Sequence, residues 1–368
     1  MKPTIVISAV NLVNGGPFTI LKTCLDELDN SSLSLSYRVV AFVARKQLLP
    51  VYKNIELVEF PKAKRSYLLR MYYEYIYFYK LSKKLNPKLW VSLHDLSPRV
   101  VAEKQAVYMH NAIVFSGRPT SFSLRGIVFS GFYKYAYRLN IKANDYLIVQ
   151  QDWLRNAFSE MFGFSKDKII VARPNNTERL VLKEQVTKES EDKNYSFFFP
   201  SFPRDFKNFE IICEATRIIL EKGYNQFEVF LTLSGNENKY SEKIVREYSN
   251  LKPVNFIGLQ DKEHMVKRYE ETNCLVFPSK LESWGLPISE FLPLKKPMIL
   301  ADLPYAHETA AGADAVAFFN PNNAEELANR MIEIMEGKRD FFQPVPDFKL
   351  NAPNTQTWEE LFNELLNG

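Results

Sequence analysis

Short apolar runs recur along the first half of the chain, and longer stretches with helical spacing separate most of them. Apolar positions from Phe18 to Leu28, for example, follow the spacing of a helix that is buried on one face. Alternating strands and helices are typical of a mainly parallel sheet that helices cover on both sides. The strands are predicted at Thr4–Val10, Arg38–Val43, Ile55–Glu59, Leu89–Leu93, Ala106–Met109, Tyr146–Val149 and Ile169–Val171.

The same pattern starts again in the second half, after a polar connection. Arg173–Asn176 and the polar stretch Lys183–Asn194 separate the two halves. The length of 368 residues is about two to three times that of a common domain. We therefore predict two α/β domains, residues 1–175 and 176–350, and a C-terminal segment, residues 351–368, that contains a helix. In the second domain, strands are predicted at Tyr195–Phe199, Glu228–Leu233 and Cys274–Phe277, and helices at Phe209–Glu221 and Lys262–Glu271.

The apolar run Cys274–Phe277 leads into a loop whose residue types suit an anion. Gly285 permits a positive φ and lets a ligand approach the backbone closely, and Pro287 suits the first turn of a helix. A strand, a glycine loop and a helix start direct backbone N–H groups at one point, which is how proteins hold a phosphate without a metal. Glu282 and Glu290 flank this loop, so the sequence predicts an anion pocket between two carboxylates.

Glu282–Glu290 and its surroundings resemble the donor site of the retaining glycosyltransferases of family 4. The shared motif is Phe-Pro-Ser followed by Glu-x-aromatic-Gly-Leu-Pro-x-x-Glu, at residues 277–290 here. The similarity continues through Lys296–Glu308 and Ala313–Pro321, so that about forty-five residues match in order. A lone pair of glutamates at this spacing would usually be a solvated helix face. The resemblance implies the GT-B fold, in which two Rossmann-like domains have parallel sheets facing a central cleft and the last helix returns to the first domain.

The resemblance also implies donor-binding residues in the second domain. Glu282 would contact hydroxyl groups of the transferred sugar, and Glu290 would bind the ribose. Lys207 and Arg204 would bind the diphosphate, and Gly258 would lie beside the nucleotide base. Cations preformed beside a diphosphate stabilise the charge that develops as the sugar bond breaks. The donor site would further include the backbone of Ser283, Trp284, Gly285 and Leu286.

In the first domain, the resemblance implies a histidine and a glycine turn. His110 follows a predicted strand at its carboxyl end, where open α/β sheets bind ligands, and family members place a histidine there to contact the donor sugar. Gly15 and Gly16 stand between the first strand and the first helix, a position that often faces a phosphate. His94 also follows a strand and is a candidate for acceptor binding. A purely structural role is the alternative for each of these residues.

Several positions depart from the family pattern. Ser283 stands where glycine is common, and Phe206 replaces a common histidine. After Glu290, Pro293 should end the helix early, because proline lacks an N–H donor and clashes with the preceding turn. Lys295 occupies the position of a helix-ending glycine, where left-handed geometry would strain a side chain. These changes affect the end of the helix rather than the two carboxylates.

Charge is divided unevenly between the two halves. Residues 1–180 contain 26 Lys and Arg against 13 Asp and Glu. The rest of the chain contains 21 Lys and Arg against 30 Asp and Glu. Lys62–Lys84 mixes seven cations with seven aromatic residues, and Lys104–Asn144 contains no acidic residue. Basic residues among Tyr and Phe suit the surface of an anionic membrane, where each cation contributes about 1 kcal/mol. The alternatives are an aromatic core with solvated cations, and a single-stranded nucleic-acid surface that no accompanying binding signature supports.

Cysteine usage and the absence of long apolar runs indicate the compartment. Cys24, Cys213 and Cys274 are far apart in the sequence, which suggests core roles in a reducing compartment. No run of about 18 uncharged apolar residues predicts a membrane span, and the N-terminus leads directly into a strand pattern. We therefore expect a cytoplasmic protein, peripheral on the inner face of the cytoplasmic membrane.

These observations predict a retaining glycosyltransferase that moves a hexose-type sugar from a nucleotide diphosphate to an acceptor hydroxyl. The resemblance to enzymes of bacterial surface polysaccharide synthesis implies a glycan or lipid-linked glycan as acceptor. No cofactor and no metal are expected, since cations and a helix start replace an Asp-x-Asp motif, and no nucleic acid is expected as partner. The alternatives are a non-catalytic relative that binds sugar nucleotides or glycans, and a basic adaptor for membranes or nucleic acids.

Overall fold

The chain forms two compact units in the computed structural model. The first unit consists of Met1–Asn175 and Leu350–Gly368, and the second is Asn176–Lys349. The structure describes residues 2–115, 135, 137–173 and 194–368. The predicted connections 174–176 and 183–193 lie outside the described residues, as does the segment 116–134 of the acid-free stretch.

The described part of the first unit contains an eight-stranded sheet in which every neighbouring pair is parallel. Its strands are β1 (Thr4–Ala9), β2 (Arg38–Val43), β3 (Ile55–Glu59), β4 (Leu89–Ser92), β5 (Lys104–Tyr108), β6 (Tyr146–Val149), β7 (Ile169–Ala172) and β14 (Asn354–Thr355). Their order is β14-β7-β6-β5-β4-β1-β2-β3. All predicted strands of this half are confirmed, whereas β14 is too short for a hydrophobic pattern to indicate it. The chain proceeds in opposite directions from β1 and β4, which makes their carboxyl ends the switch point of this sheet.

Apolar clusters lie on both faces of this sheet, because alternate residues of each strand point to opposite sides. On one face, Gly15–Asn30 and Trp358–Asn367 share a cluster with β1 and β4. On the other face, Phe60, Phe78 and Trp90 are buried together. Burial on both faces explains why the strand sequences are continuous apolar runs. The described helices of this unit are Gly15–Asn30, Ser32–Ser36, Tyr67–Tyr72, Phe78–Leu85, Asp152–Phe162 and Trp358–Asn367.

A buried arginine attaches the C-terminal segment to the first unit. Arg155 is 3% exposed. Its guanidinium donates to the carbonyl oxygens of Asn351 at 3.0 Å, Ala352 at 3.3 Å and Pro353 at 2.7 Å. The helix Trp358–Asn367 follows directly and buries its apolar face in the core of this unit.

The described part of the second unit contains a six-stranded sheet, also parallel in every pair. Its strands are β8 (Tyr195–Phe199), β9 (Phe227–Leu231), β10 (Val254–Phe256), β11 (Cys274–Phe277), β12 (Met298–Ala301) and β13 (Val316–Phe319). Their order is β10-β9-β8-β11-β12-β13. The two parallel-sheet α/β domains that the sequence predicts are thereby confirmed. The described helices are Phe209–Glu221, Lys239–Tyr248, Lys262–Glu271, Leu286–Phe291, Pro304–Thr309 and Ala324–Met335.

The cysteines occupy the core positions that the sequence predicts. Cys24, Cys213 and Cys274 are free and buried, and burial raises the pKa of each thiol. Across the described ranges, no helix combines the length and the hydrophobicity that crossing a membrane requires.

Candidate active site

The loops after β8 and β11 lie at the switch point of the second sheet. β8 and β11 are neighbours, and the chain proceeds from them in opposite directions across the sheet. Open α/β sheets bind ligands in the crevice outside the carboxyl ends of such strands. The loop after β8 carries Arg204 and Lys207, and the loop after β11 carries Glu282. The two loops are joined, because the N–H of Lys280 donates to the carbonyl of Phe206 at 2.7 Å.

Lys207 and Glu282 form an ion pair between these loops. The Nζ atom of Lys207 contacts Oε1 of Glu282, and the side chains are 16% and 12% exposed. Lys207 ends a short 3-10 turn, and Asn208 then adopts a φ of 64° before the next helix. The Asn208 amide donates to the carbonyl of Pro278 at 3.2 Å, which connects this turn to the end of β11. The pair therefore offers a cation and an acceptor from a fixed backbone.

Gly285 forms the helix start that the sequence predicts. It has a φ of 92°, and a Cβ atom there would lie 3.3 Å from Cδ1 of Ile288 and 3.5 Å from the ring of Tyr305. The indole N–H of Trp284 donates to Oγ of Ser289 at 3.1 Å. Among the described side chains, none caps the helix Leu286–Phe291 at this end. The loop is thus held in place, and only glycine fits it without strain.

Glu290 lies in this helix and makes a separate contact. The hydroxyl of Tyr269 donates to Oε2 of Glu290 at 2.8 Å. Burial raises the pKa of the Glu290 carboxyl, while the hydrogen bond from Tyr269 and the charge of Lys262 act in the opposite direction. Sequence reasoning missed Tyr269, because a buried aromatic residue on a helix has the same pattern as a core residue.

Two further predicted donor-site residues of this unit make no described side-chain contact with the ion pair. Arg204 is exposed, and its guanidinium lies 5.8 Å from the ring of Phe202 and 5.9 Å from that of Phe206. Gly258 follows β10 with a φ of 69°, and its N–H donates to the carbonyl of Leu233 at 3.1 Å. The described side-chain contacts therefore join Lys207 to Glu282 but include neither Arg204 nor Gly258, although the backbone N–H of Lys207 donates to the carbonyl of Arg204 at 2.8 Å.

The glycine turn of the first unit differs from the prediction. The first helix begins at Gly15 rather than at Phe18, so that Gly15 and Gly16 lie in its first turn. Gly15 has a φ of 71°, and a Cβ atom there would meet nothing within 4 Å. Gly15 thus has open space beside it, in the first turn of the helix that follows β1 and hence near the switch point of the first sheet.

His110 follows β5 and is fixed by the loop after β4. Its Nε2 atom lies 2.9 Å from the carbonyl oxygen of Leu93, so this nitrogen carries the proton. Oδ1 of Asp95 accepts from the backbone N–H of His110 at 2.6 Å and of Asn111 at 3.1 Å. Burial lowers the pKa of His110, against the influence of Asp95 and the Leu93 carbonyl. A neutral imidazole with Nδ1 as acceptor results, and Asp95 is a second residue that sequence reasoning missed.

His94 has a structural role instead of the suggested role in acceptor binding. Its side chain is 0% exposed and lies 3.2 Å from the carboxylate of Glu74. Nε2 is also 3.1 Å from Oγ of Ser8, and the Arg70 guanidinium donates to the His94 carbonyl at 2.8 Å. A ligand has no access to a side chain in this position.

The fold and these loops define a class of protein with two parallel-sheet α/β units of the GT-B type. The lipopolysaccharide outer core galactosyltransferase WaaB, in its apo form, has 15% sequence identity and a TM-score of 0.64, with 92% of each chain covered. WaaG, a glycosyltransferase involved in lipopolysaccharide biosynthesis, has 13% identity and a TM-score of 0.68, with 99% of this chain and 100% of that chain covered. At such identities the similarity establishes the fold, so the GT-B prediction is confirmed.

The sequence itself carries a more specific match. Residues 182–344, which make up most of the second unit, match the family model described as Glycosyl transferases group 1. Another structure with this fold, Alr3699/HepE from Anabaena in complex with UDP and glucose, has 13% identity and a TM-score of 0.57, with 91% of this chain and 90% of that chain covered. No curated protein matches the chain significantly. The second unit thus carries the glycosyltransferase match, and it contains the loops described above.

Proposed function

We propose that the chain is a retaining, metal-independent glycosyltransferase of family 4 that moves a hexose-type sugar from a nucleotide diphosphate to an acceptor hydroxyl. The observation that carries this proposal is the Lys207–Glu282 pair beside Gly285 at the switch point of the second sheet. The match of residues 182–344 covers this site. Alr3699/HepE, which has the same fold, was solved with UDP and glucose.

Different residues of the second unit bind different parts of the nucleotide-sugar donor. Lys207, with Arg204, binds the diphosphate, while Glu282 accepts hydrogen bonds from sugar hydroxyls. Glu290 binds the ribose, and Gly258 lies beside the base. Glu282 holds the Lys207 ammonium, so an incoming diphosphate finds the cation already in position. By the resemblance we assign the neutral imidazole of His110 to a sugar hydroxyl.

The transfer joins the acceptor oxygen to the anomeric carbon as the bond from that carbon to the diphosphate breaks. Lys207 stabilises the charge on the leaving diphosphate, which grows as this bond lengthens. Glu282 is already paired with a lysine, which favours a hydroxyl-binding role over that of a covalent nucleophile. The acceptor therefore attacks from the face that the diphosphate leaves, and a diphosphate oxygen takes the acceptor proton.

Replacing Glu282 by Gln tests this assignment. We expect turnover of the preferred nucleotide sugar to fall about 100-fold or more, because a neutral amide is a weaker acceptor for the hydroxyls and has no charge to hold Lys207. The assay uses UDP, GDP and ADP sugars with extracted lipid-linked glycans in EDTA, and NMR identifies the anomer formed. Glu333→Gln, which breaks the ion pair with Arg330 at 3.2 Å in the same unit, is the control.

Four outcomes would count against the enzyme proposed here. Full activity of Glu282→Gln would remove this residue from the site, and loss of wild-type activity in EDTA would contradict metal independence. An inverted anomer would exclude retention. Donor binding without turnover by the wild type would favour the non-catalytic relative.

We further propose that the first unit docks on the cytoplasmic face of an anionic membrane, where a lipid-linked acceptor would be found. Leu68 is 83% exposed, Ile76 49% and Tyr72 45%. Phe78, in contrast, is 0% exposed and belongs to the core. An aromatic core therefore accounts for only part of the segment Lys62–Lys84. Apolar side chains beside cations are the combination that binds the surface layer of a bilayer. The exposed cations of the segment are Lys62, Lys64, Arg65, Lys80, Lys83 and Lys84.

Reversing three of these charges should abolish membrane binding. The triple change of Lys80, Lys83 and Lys84 to Glu removes attraction of about 1 kcal/mol per cation and adds repulsion. Vesicle flotation measures the effect, with phosphatidylglycerol vesicles against phosphatidylcholine vesicles. The same change at three other exposed lysines of this unit alters net charge equally and should leave flotation intact; these are Lys46, Lys166 and Lys168. Equal loss in both triple variants, or binding of single-stranded RNA instead of vesicles, would overturn the docking surface.

A further inference from the structure

Buried Tyr269 and half-buried Glu290 form a pair that the chemistry of transfer does not require. Tyr269 is 0% exposed and is the buried residue of the helix Lys262–Glu271. Its ring centroid lies 5.6 Å from that of Phe198 and 5.8 Å from that of Phe291, the residue after Glu290. The tyrosine ring is therefore fixed on both sides, and its hydroxyl reaches Oε2 of Glu290 at 2.8 Å.

We propose that Tyr269 is a positioning residue, which holds Glu290 so that Oε1 faces the ribose of the donor and makes the site select ribonucleotides over 2′-deoxyribonucleotides. This inference rests on the proposed function, because it needs the nucleotide site. It adds a residue and a substrate class to that site.

The geometry leaves one oxygen of Glu290 for the ligand. Oε2 is occupied by Tyr269, whereas Oε1 accepts no hydrogen bond from any described residue. One carboxylate oxygen has two lone pairs and can accept from both hydroxyls of a ribose. A 2′-deoxyribose offers only one of these hydroxyls, so the half-buried carboxylate would remain partly unsatisfied beside it.

Tyr269 also controls the ionisation of Glu290. Burial raises the pKa of the carboxyl, and the Tyr269 hydroxyl and the Lys262 ammonium are the groups that oppose this effect. Without the tyrosine donor the pKa would rise further. The carboxyl would then be protonated at a higher pH, and a protonated carboxyl is a weaker acceptor. Loss of the hydroxyl should therefore weaken ribose binding and shift its pH profile upward.

The experiment measures nucleotide affinity by calorimetry in EDTA. UDP, GDP and ADP identify the ribonucleotide that binds, which is then compared with its 2′-deoxy form from pH 5 to 9. A hydrogen bond to a charged group corresponds to about 10-fold or more in affinity, so the wild type should prefer the ribonucleotide by about that factor. In Tyr269→Phe this preference should be smaller at every pH, and the pH below which it is lost should move upward.

Two variants separate positioning from packing. Tyr248 is also buried, and its hydroxyl donates to Glu214 at 2.6 Å in the same unit. Tyr248→Phe removes an equivalent bond and should change neither the preference nor the pH profile. Tyr269→Phe combined with Glu290→Gln should cost little more than Glu290→Gln alone, because the two residues act through one contact.

The outcomes distinguish this inference from the proposed function. Failure of the wild type to bind any of the three nucleotides would contradict the donor site itself. Equal wild-type affinity for the ribonucleotide and its 2′-deoxy form would overturn the ribose contact. Binding with a ribonucleotide preference that Tyr269→Phe retains at every pH would overturn the role of Tyr269 and leave the donor site standing.

Discussion

At the scale of single residues, the carboxyl group of Glu74 in the first unit has no contact with solvent. It lies in a π-helical turn, and its side chain is 0% exposed. Oε1 is 3.2 Å from Nε2 of His94 and 3.9 Å from Nε of Arg70, yet neither oxygen accepts a hydrogen bond within the described part of the chain. Burial raises the pKa of Glu74 to about 8, although Arg70 acts in the opposite direction.

Replacing Glu74 by Gln should change how stability depends on pH. The pKa of about 8 exceeds the ordinary value of 4.5, so the contribution of Glu74 is complete below 4.5 and is lost as the pH rises to 8. Glu74→Gln does not lose stability in this way. The unfolding free energy of the variant relative to the wild type should therefore rise between pH 4.5 and 8, by an amount on the order of a few kcal/mol. Burial lowers the pKa of His94, which removes stability as the pH falls below 6.5.

Between pH 6.5 and 8, the contribution of Glu74 to the unfolding free energy is therefore separated from that of His94. Urea unfolding at fixed pH measures this contribution. Glu103→Gln, at a carboxylate that is 61% exposed in the same unit, is the control. Parallel pH profiles for the wild type and Glu74→Gln would show that the carboxyl is not buried as described.

At the scale of elements, the helix after Gly285 ends as its local chemistry predicts. It stops at Phe291, a 3-10 turn containing Pro293 follows, and Lys295 has a φ of 54°. Local steric rules act on one or two residues, so they can be read from the sequence. The short strands β10 and β14 depend on pairing with distant strands, and the sequence pattern did not indicate them.

Arg155 should be necessary for holding the C-terminal segment. Arg155→Met would remove the guanidinium that donates to three carbonyl oxygens of the C-terminal segment, and we expect a loss of about 1.5–3 kcal/mol in unfolding free energy. Urea unfolding measures this loss, and hydrogen exchange should show faster opening of the helix Trp358–Asn367. Arg217→Met, at a side chain that is 43% exposed in the second unit, is the control. Unchanged exchange in Trp358–Asn367 would mean that packing alone holds the helix.

At the scale of the whole molecule, the repeated pattern of apolar runs predicted two parallel-sheet domains, although β10, β12, β13 and β14 were not among the predicted strands. It also placed Lys207 and Glu282 on loops at the carboxyl ends of strands. Their pairing could not be predicted, because the two residues are 75 positions apart and meet only when β8 and β11 are neighbours. The same limit applies to Tyr269 and Glu290, which lie on different helices.

The binding of nucleotides to the second unit tests the central claim most directly. The melting temperature is measured for the wild type, Lys207→Ala and Glu290→Ala with UDP, GDP, ADP and dTDP, each with and without EDTA. Lys252→Ala, at an exposed lysine of the same unit, is the control. A nucleotide at 100 times its dissociation constant stabilises a protein by roughly 2.7 kcal/mol. The donor site predicts an EDTA-insensitive rise with one ribonucleotide that both site variants lose and the control keeps. No rise with any nucleotide, or an undiminished rise in both site variants, would contradict it.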